Sequence, residues 1–432
     1  MTAQDYMAPE SVGRLEQRAL GVGIAGLLAC VICFFLYRDQ FADRFFHSYL
    51  IAFMFVLGLS LGSLGLLMLQ HLTGGHWGIV TRRPLESATR VLPVVAVFFL
   101  PIAIFGMNYL YKEWLGAPST GEGALSEMQK SYLTRNGFLI RAVIYFAVWL
   151  LLVFIFNRWS KEQDANREDR ALRRRLKMVA GPGIILYVFV MTFAAIDWVM
   201  SLSPHWASTI YGFLFVIGQL ISSMSLMIAV LVLLSRTAPM EGLIQSRHLH
   251  DLGKLLLAFV MLWAYFGFSQ LLIIWSGNLP EEISFYRTRL YGGWGVVAVL
   301  VLIFHFFAPF FFLLPRDVKR SAKLLPKIAM WLIFMRLVDL FWLTRPEFTS
   351  SAVPGSTRRS TRPICSASMA LTARPVRMRS SARPSPIMRG RRIVPMSISG
   401  TPKRRLNTPS VALLAATRRS HQSASSSPPA TA

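Results

Sequence analysis

Long segments rich in Leu, Phe, Val and Ile, with almost no charged residue, recur along most of this chain. A helix needs about 20 predominantly apolar residues to cross the ~30 Å hydrocarbon core of a bilayer. In lipid the backbone N–H and C=O groups must pair within the protein, and continuous apolar segments do this as α-helices rather than as strands of a barrel. The sequence therefore predicts an all-α integral membrane protein. With 54% hydrophobic residues, it excludes an ordinary water-soluble domain.

We predict about nine spanning helices in a polytopic domain of residues 19–345, after a cytoplasmic N-terminus of residues 1–18. The spans lie near residues 19–37, 47–70, 90–110, 138–157, 179–201, 209–234, 254–276, 291–314 and 326–343. The loops after the even-numbered spans, together with Lys327 at the start of the ninth span, carry seventeen Lys and Arg, whereas those after the odd-numbered spans carry seven. Since basic loops tend to stay on the cytoplasmic side, this bias predicts a multi-pass protein with its N-terminus in the cytoplasm.

The composition changes abruptly at residue 346. From there to residue 432 the sequence contains fifteen Lys and Arg but one acid, Glu347, and it has no hydrophobic period. Such a segment cannot build a core, so we predict a disordered basic tail. Most of the formal net charge of +25 lies in this tail, so the basicity does not indicate nucleic-acid binding. A GC-rich gene translated out of frame gives the same composition, and we hypothesise a frameshift near residue 346. Resequencing the gene and translating the other two frames would reveal or exclude a lost apolar segment.

Ionisable residues inside predicted spans are the candidates for chemistry, because placing a charge in lipid is costly. Most of them lie toward the predicted periplasmic side. The candidates for quinone binding or proton transfer are Asp197, His205, His47, Arg141, Arg336, Asp339 and His305. Quinol oxidation releases two protons with two electrons, so it requires a histidine or carboxylate near a ring oxygen in an apolar pocket.

Structural roles explain the same residues equally well. Arg336 and Asp339, three residues apart, could simply neutralise each other, and Asp197 could pair with Arg141 and so hold helices together. His305, the histidine nearest mid-membrane, fits either a proton path or a buried side chain bonded to a backbone carbonyl. The sequence leaves these alternatives open.

The chain offers no convincing set of ligands for a metal centre. A bis-histidine haem needs two axial ligands at matching depth, and no such pair stands out. Cys30 and Cys33 form a C-x-x-C pair, but Phe34 follows where a c-type haem site requires His. Three cysteines in all are too few for an iron–sulfur cluster. We therefore expect no directly bound cofactor apart from a candidate quinone.

Several stretches of sequence together resemble one family. They are SYLIAFMFVLGLSLGSLGLLMLQHLTGGHWG with RRPLE, TFAAIDWVMSLSPHWASTIYG, LLLAFVMLWAYFGFSQLLIIWSGNLPEE, GGWG and MRLVDLFW. Across residues 15–345 the chain resembles the ActF-type membrane subunits of alternative complex III, a bacterial quinol:cytochrome c oxidoreductase. These subunits belong to the polysulfide-reductase (NrfD-like) membrane-subunit superfamily.

The resemblance implies an inner-membrane fold of two four-helix bundles, formed by spans two to five and six to nine, with peripheral helices outside them. Complexes of this family oxidise menaquinol or ubiquinol. The implied partners are multihaem c-type cytochromes, an iron–sulfur subunit and a second membrane subunit that carries the quinol site. This subunit would then contribute scaffold, proton conduction or a quinone pocket without its own redox centre. The family has a tenth helix where this chain has its basic tail. A secondary transporter and a purely structural membrane anchor are the alternatives.

Overall fold

The computed structural model describes residues 10–117, 124–165, 169–236, 242, 244–291 and 293–350. The chain divides into two units, Met1–Thr372 and Ala373–Ala432, and all described residues belong to the first. They form helices, turns and short connections, with no strand among them. The predicted tail lies outside the described residues from residue 351 onward, so its disorder and the frameshift stay predictions.

The described residues contain fifteen α-helices. In chain order they are α1 Glu10–Thr73, α2 His76–Thr89, α3 Leu92–Pro101, α4 Met107–Leu110, α5 Lys112–Leu115, α6 Glu127–Tyr132, α7 Arg135–Ala165, α8 Arg170–Trp198, α9 Tyr211–Leu234, α10 Ser246–Gly277, α11 Pro280–Leu290, α12 Trp294–Val301, α13 Ala308–Leu313, α14 Arg316–Arg320 and α15 Leu325–Ser350. Two π-helical turns, Ile102–Gly106 and Leu302–Phe307, join α3 to α4 and α12 to α13.

Eight helical segments of the described chain are long and apolar enough to cross a membrane. They are Glu16–Leu36, Ala42–Thr73, His76–Leu110, Arg135–Ala165, Arg170–Leu202, Tyr211–Leu234, Ser246–Gly277 and Trp294–Leu313. They coincide with the first eight predicted spans, which confirms an all-α membrane fold. The ninth predicted span falls on α15, a 26-residue helix that is not among these eight segments and that contains Arg336 and Asp339 within its apolar part.

The sequence suggested a loop between the first two spans, but the single helix α1 covers both of them, from Glu10 to Thr73. No Gly or Pro interrupts the chain between residues 27 and 57, so nothing there ends a helix. The helix is nevertheless bent. The ring of Phe34 lies 5.0 Å from that of Phe45 and 5.7 Å from that of Phe46, although a straight helix would separate these residues by about 16 to 18 Å. The two apolar segments therefore lie on either side of a sharp bend.

Seven of the spans, together with α15, pack as two four-helix bundles, in agreement with the arrangement that the resemblance implies. The first bundle contains residues 42–73 of α1, the α2–α4 segment, α7 and α8. The second contains α9, α10, the α12–α13 segment and α15. The bundles meet where α9 packs against α1 and α8 and where α15 packs against α1. The segment Glu16–Leu36 is not buried, so it is peripheral to both.

The two bundles approach each other closely at Gly62 of α1. A Cβ atom there would overlap the backbone carbonyl group of Gln219 and the hydroxyl of Ser223 on α9. The Ser223 hydroxyl donates a hydrogen bond to the carbonyl of Leu59 at 2.8 Å, and the Tyr187 hydroxyl of α8 donates one to the Gln219 side chain at 2.7 Å. Small residues at helix contacts allow this proximity in a membrane, where no hydrophobic force drives helices together.

The end of α15 corrects the predicted boundary of the tail. We expected disorder from residue 346, but α15 continues to Ser350. Buried Arg289 of α11 donates a 2.6 Å hydrogen bond to the carbonyl of Leu343 and pairs with Glu347 at 2.5 Å. This ion pair holds the last turns of α15, and composition alone did not reveal it.

The contact at Gly62 predicts a strong dependence of stability on the size of this residue. Replacing Gly62 with Leu should lower the free energy of unfolding by about 2 kcal/mol or more, because the side chain would force the two bundles apart. Unfolding of the purified chain in mixed micelles, titrated with a denaturing detergent, measures this change. Gly23→Leu is the matched control, since no atom lies within 4 Å of a Cβ built at Gly23. Equal effects of the two substitutions would contradict the close contact.

Candidate functional site

Asp197 is fully buried near the end of α8, where its carboxylate is paired on both oxygens. Arg141 of α7 donates to the two carboxylate oxygens through Nε at 2.8 Å and Nη2 at 3.0 Å. The Tyr145 hydroxyl donates to Oδ2 at 2.7 Å. We call Asp197, Arg141 and Tyr145 the Asp197 cluster. Its bidentate geometry is the one that guanidinium and carboxylate groups favour in a dry environment.

The local sequence explains how this cluster is built. Arg141 and Tyr145 are four residues apart, so they project from the same face of α7 toward the end of α8. Arg141 also donates from Nη1 to the carbonyl of Tyr132 at 3.1 Å, and its guanidinium lies 3.9 Å from the centre of the Tyr132 ring. The end of α8 is fixed separately by Tyr111, whose hydroxyl donates to the carbonyl of Trp198 at 3.0 Å. These contacts leave the Asp197 cluster little freedom to rearrange.

Tyr132 ends α6, outside the membrane-spanning segments, and shares the environment of this cluster. Burial raises the pKa of Tyr132 to about 12, and the negative charge of Asp197 acts in the same direction. Its hydroxyl is therefore protonated at physiological pH. The surroundings of Asp197 thus supply proton donors rather than acceptors.

A second buried ion pair lies in the other bundle, where Arg336 pairs with Asp339 on α15. Their side chains are 3% and 2% exposed. The guanidinium fits against Gly218 of α9, where a Cβ atom would overlap it, and lies 5.6 Å from the centre of the Phe215 ring. The pairing agrees with the i,i+3 spacing seen in the sequence, and the missing side chain of Gly218 makes room for it.

His305 lies next to this pair, in the π-helical turn between α12 and α13. It is fully buried, and neither ring nitrogen has a hydrogen-bond partner among the described residues. Trp263 of α10 meets its ring edge-on at 4.5 Å and also lies beside the Asp339 carboxylate. Arg336 is close enough for its charge to act on the imidazole. We call His305, Trp263, Arg336 and Asp339 the His305 cluster.

The hydrogen bonding of His305 bears on the two alternatives for this residue. A buried histidine in a purely structural role would bond to a backbone carbonyl, and no such bond is present in the described structure. A neutral imidazole has one donor and one acceptor, and leaving both without partners in a dry site costs about 1–3 kcal/mol for each group. The site is therefore suited to an additional polar group or to a transferred proton.

The other two candidate histidines belong to neither cluster. His47 is buried, stacks on the Phe348 ring at 3.4 Å and lies 3.2 Å through Nδ1 from a terminal nitrogen of Arg345. It therefore links α1 to the end of α15. His205 is exposed in the connection between α8 and α9, just before buried Trp206. His205 follows Asp197 by eight residues in the sequence, but the described structure gives it no hydrogen bond to the Asp197 carboxylate.

Sequence reasoning missed Glu86, which is buried in α2 within a segment interpreted as a loop. Arg82 donates to its Oε1 at 2.9 Å and Arg83 to its Oε2 at 2.7 Å, while Ser160 of α7 also contacts Oε1. The three- and four-residue spacing of these charges was the available signal. These charges were assigned to a loop, so their helical spacing was not recognised.

Tyr145 and Trp263 were also missed, because neither is ionisable near neutral pH and the search began from charges. Tyr145 could have been found from its distance of one turn from Arg141. Trp263 had no such signal, since its contact with His305 joins different helices. Among the described residues, no group of three His, Cys, Asp or Glu side chains is arranged to hold a metal ion.

The chain matches no protein-family model, and it matches none of the curated proteins with which it was compared. The clusters must therefore be interpreted from their own chemistry.

The Asp197 cluster predicts a large stability effect. Replacing Asp197 with Ala should lower the free energy of unfolding by about 3 kcal/mol or more, because Arg141 would lose its counter-charge in a largely buried site. The matched control is Glu127→Ala, which removes a carboxylate that is 91% exposed. Unfolding midpoints of the solubilised variants measure both effects. A midpoint for the Asp197 variant equal to that of the control would show that the pair does not hold α7 to α8.

Proposed function

We propose that this chain is a membrane subunit of a quinol-oxidising respiratory complex of the alternative complex III type. Within it, the chain supplies a scaffold and carries protons through the His305 cluster. Support comes from the family-like motifs and from the two four-helix bundles into which those motifs fold. The bacterial inner membrane and a cytoplasmic N-terminus belong to this proposal, and the basic loops after the even-numbered spans support them.

The observation that carries the proton role is the unpartnered state of His305. Both of its ring nitrogens are open within the described structure, whereas both oxygens of Asp197 already accept hydrogen bonds. An imidazole can accept a proton on one nitrogen and release one from the other, which suits it to relay. The positive charge of nearby Arg336 is itself balanced by its ion pair with Asp339. The second bundle is thus the better candidate for proton transfer.

In this proposal, partner subunits carry out electron transfer. The implied partners are the multihaem c-type cytochromes, the iron–sulfur subunit and the second membrane subunit with the quinol site. Menaquinol or ubiquinol would be the reductant of the complex. In this chain, the polar groups nearest to mid-membrane would take up or pass on the protons that the quinol releases.

A purely structural anchor is the second candidate, and the Asp197 cluster favours it. Its bidentate ion pair and the Tyr145 hydrogen bond give both carboxylate oxygens partners within the described structure. Such a group holds α7 to α8. The two candidates therefore differ in what His305 does.

Replacing His305 with Leu separates these candidates. We expect the variant complex to assemble but to lose roughly tenfold or more in quinol:cytochrome c turnover, or to translocate fewer protons per electron, because the relay group is gone. Turnover and proton release are measured on the purified complex in liposomes. His76→Leu, at an exposed histidine, is the control. Unchanged turnover and proton yield in an intact complex would leave the anchor as the function.

The proposed assembly makes a separate prediction. A tagged copy of this chain, extracted gently from its native membranes, should co-purify with multihaem cytochromes and a large iron–sulfur protein. Mass spectrometry and the visible haem spectrum of the eluate check this. A chain that elutes alone from well-preserved membranes would contradict the proposal and favour the transporter alternative.

A further inference from the structure

A groove of about 650 Å³ runs between the start of α3 and the middle of α7. Its apolar wall includes Leu150 and Phe154, which are four residues apart on one face of α7, and Pro93 of α3. The Phe154 side chain is 58% exposed. Both helices belong to candidate membrane spans, so the wall faces the hydrocarbon of the lipid.

One end of the groove is charged. Arg90 lies between α2 and α3, while Arg158, Lys161 and Glu162 follow the apolar part of α7. All four side chains are exposed, and together they carry a net charge of two positive units. Arg90 precedes one apolar segment and Arg158 follows another, so both lie at the level where the hydrocarbon gives way to the polar interface.

Buried Asn157 positions Arg90. Its Oδ1 accepts a 2.9 Å hydrogen bond from the Arg90 Nε, and its Nδ2 donates to Thr89 Oγ1 at 3.0 Å and to the carbonyl of Val153 at 2.9 Å. These bonds fix the guanidinium by one edge. No described residue accepts a hydrogen bond from its terminal nitrogens.

The other two bases also retain donor capacity. Arg158 donates through Nε to Glu162 at 3.2 Å, and its terminal nitrogens have no acceptor among the described residues. The Lys161 ammonium has no hydrogen-bond partner or ion pair in the described structure. A phosphate group could therefore accept from all three side chains without displacing an existing bond.

We propose that this groove binds an anionic phospholipid. Its headgroup phosphate lies among Arg90, Arg158 and Lys161, and an acyl chain lies along Leu150 and Phe154. Basic pockets between spanning helices at the interface are suited to such headgroups. The surplus positive charge favours an anionic lipid over a zwitterionic one, and the apolar wall favours a lipid over free phosphate. The inference does not depend on the proposed respiratory function.

Native mass spectrometry of the full-length chain in mild detergent tests this inference. The added ligands are phosphatidylglycerol, phosphatidylethanolamine and glycerol phosphate. We expect one phosphatidylglycerol to bind more tightly than the other two ligands. R90Q/K161Q should weaken its binding about tenfold, because two of the three bases are lost. The control R174Q/R175Q removes the same charge from exposed residues of α8.

A second variant tests whether a disturbed fold, rather than lost contacts, explains weaker binding. R158Q/K161Q changes exposed residues only and leaves the bonds between Asn157 and Arg90 intact, and it should also weaken phosphatidylglycerol binding. Equal weakening of phosphatidylglycerol binding in the R174Q/R175Q control would show that general surface charge explains the effect. That result would contradict a specific site. Equal binding of phosphatidylethanolamine would overturn its selectivity for anionic lipids. Equal binding of glycerol phosphate would overturn the role of the acyl chain.

Discussion

The cost of placing charge in a bilayer governs this structure more than any other interaction. An unpaired carboxylate or guanidinium inside the hydrocarbon is expensive, so each buried charge needs a partner that the fold brings to it. Asp197 has Arg141, Asp339 has Arg336, and Glu86 has two neighbouring arginines. Such pairs add little net stability over an apolar alternative. The Asp197–Arg141 pair also fixes how α7 faces α8, whereas the other two pairs each lie within one helix. The packing of the helices and the pairing of their buried charges therefore depend on each other.

Much of the fold could be predicted because a single rule connects sequence to structure in lipid. Apolar length identifies a span, and the first eight predicted spans correspond to the eight candidate spans found among the described residues. The pairing of Asp197 with Arg141 was available as an alternative, because few acids and bases lie within spans and their depths could be compared. Where a charge had one plausible partner at its own depth, the sequence was sufficient.

The remaining features depend on contacts between helices, which hydropathy does not encode. The bend between Phe34 and Phe45 occurs without Gly or Pro, so no residue type marked it. Trp263 meets His305 across the second bundle, and the π-helical turn that holds His305 has no signature in the apolar pattern. Glu347 looked like part of a featureless tail because its partner, Arg289, lies in another helix. These are properties of the packed protein.

The approach of α1 to α9 at Gly62 also limits how the molecule can move. Alternating-access transport requires one bundle to rock or slide against the other around a central site. Here the Gln219 carbonyl of α9 occupies the space that a side chain at Gly62 of α1 would need. The Ser223 hydroxyl of α9 also donates a hydrogen bond to the backbone of α1. A hinge or a sliding surface requires free space between the helices, and this close contact provides none. Motions linked to function would then be small and local, such as a change in side-chain rotamer or protonation within a rigid frame.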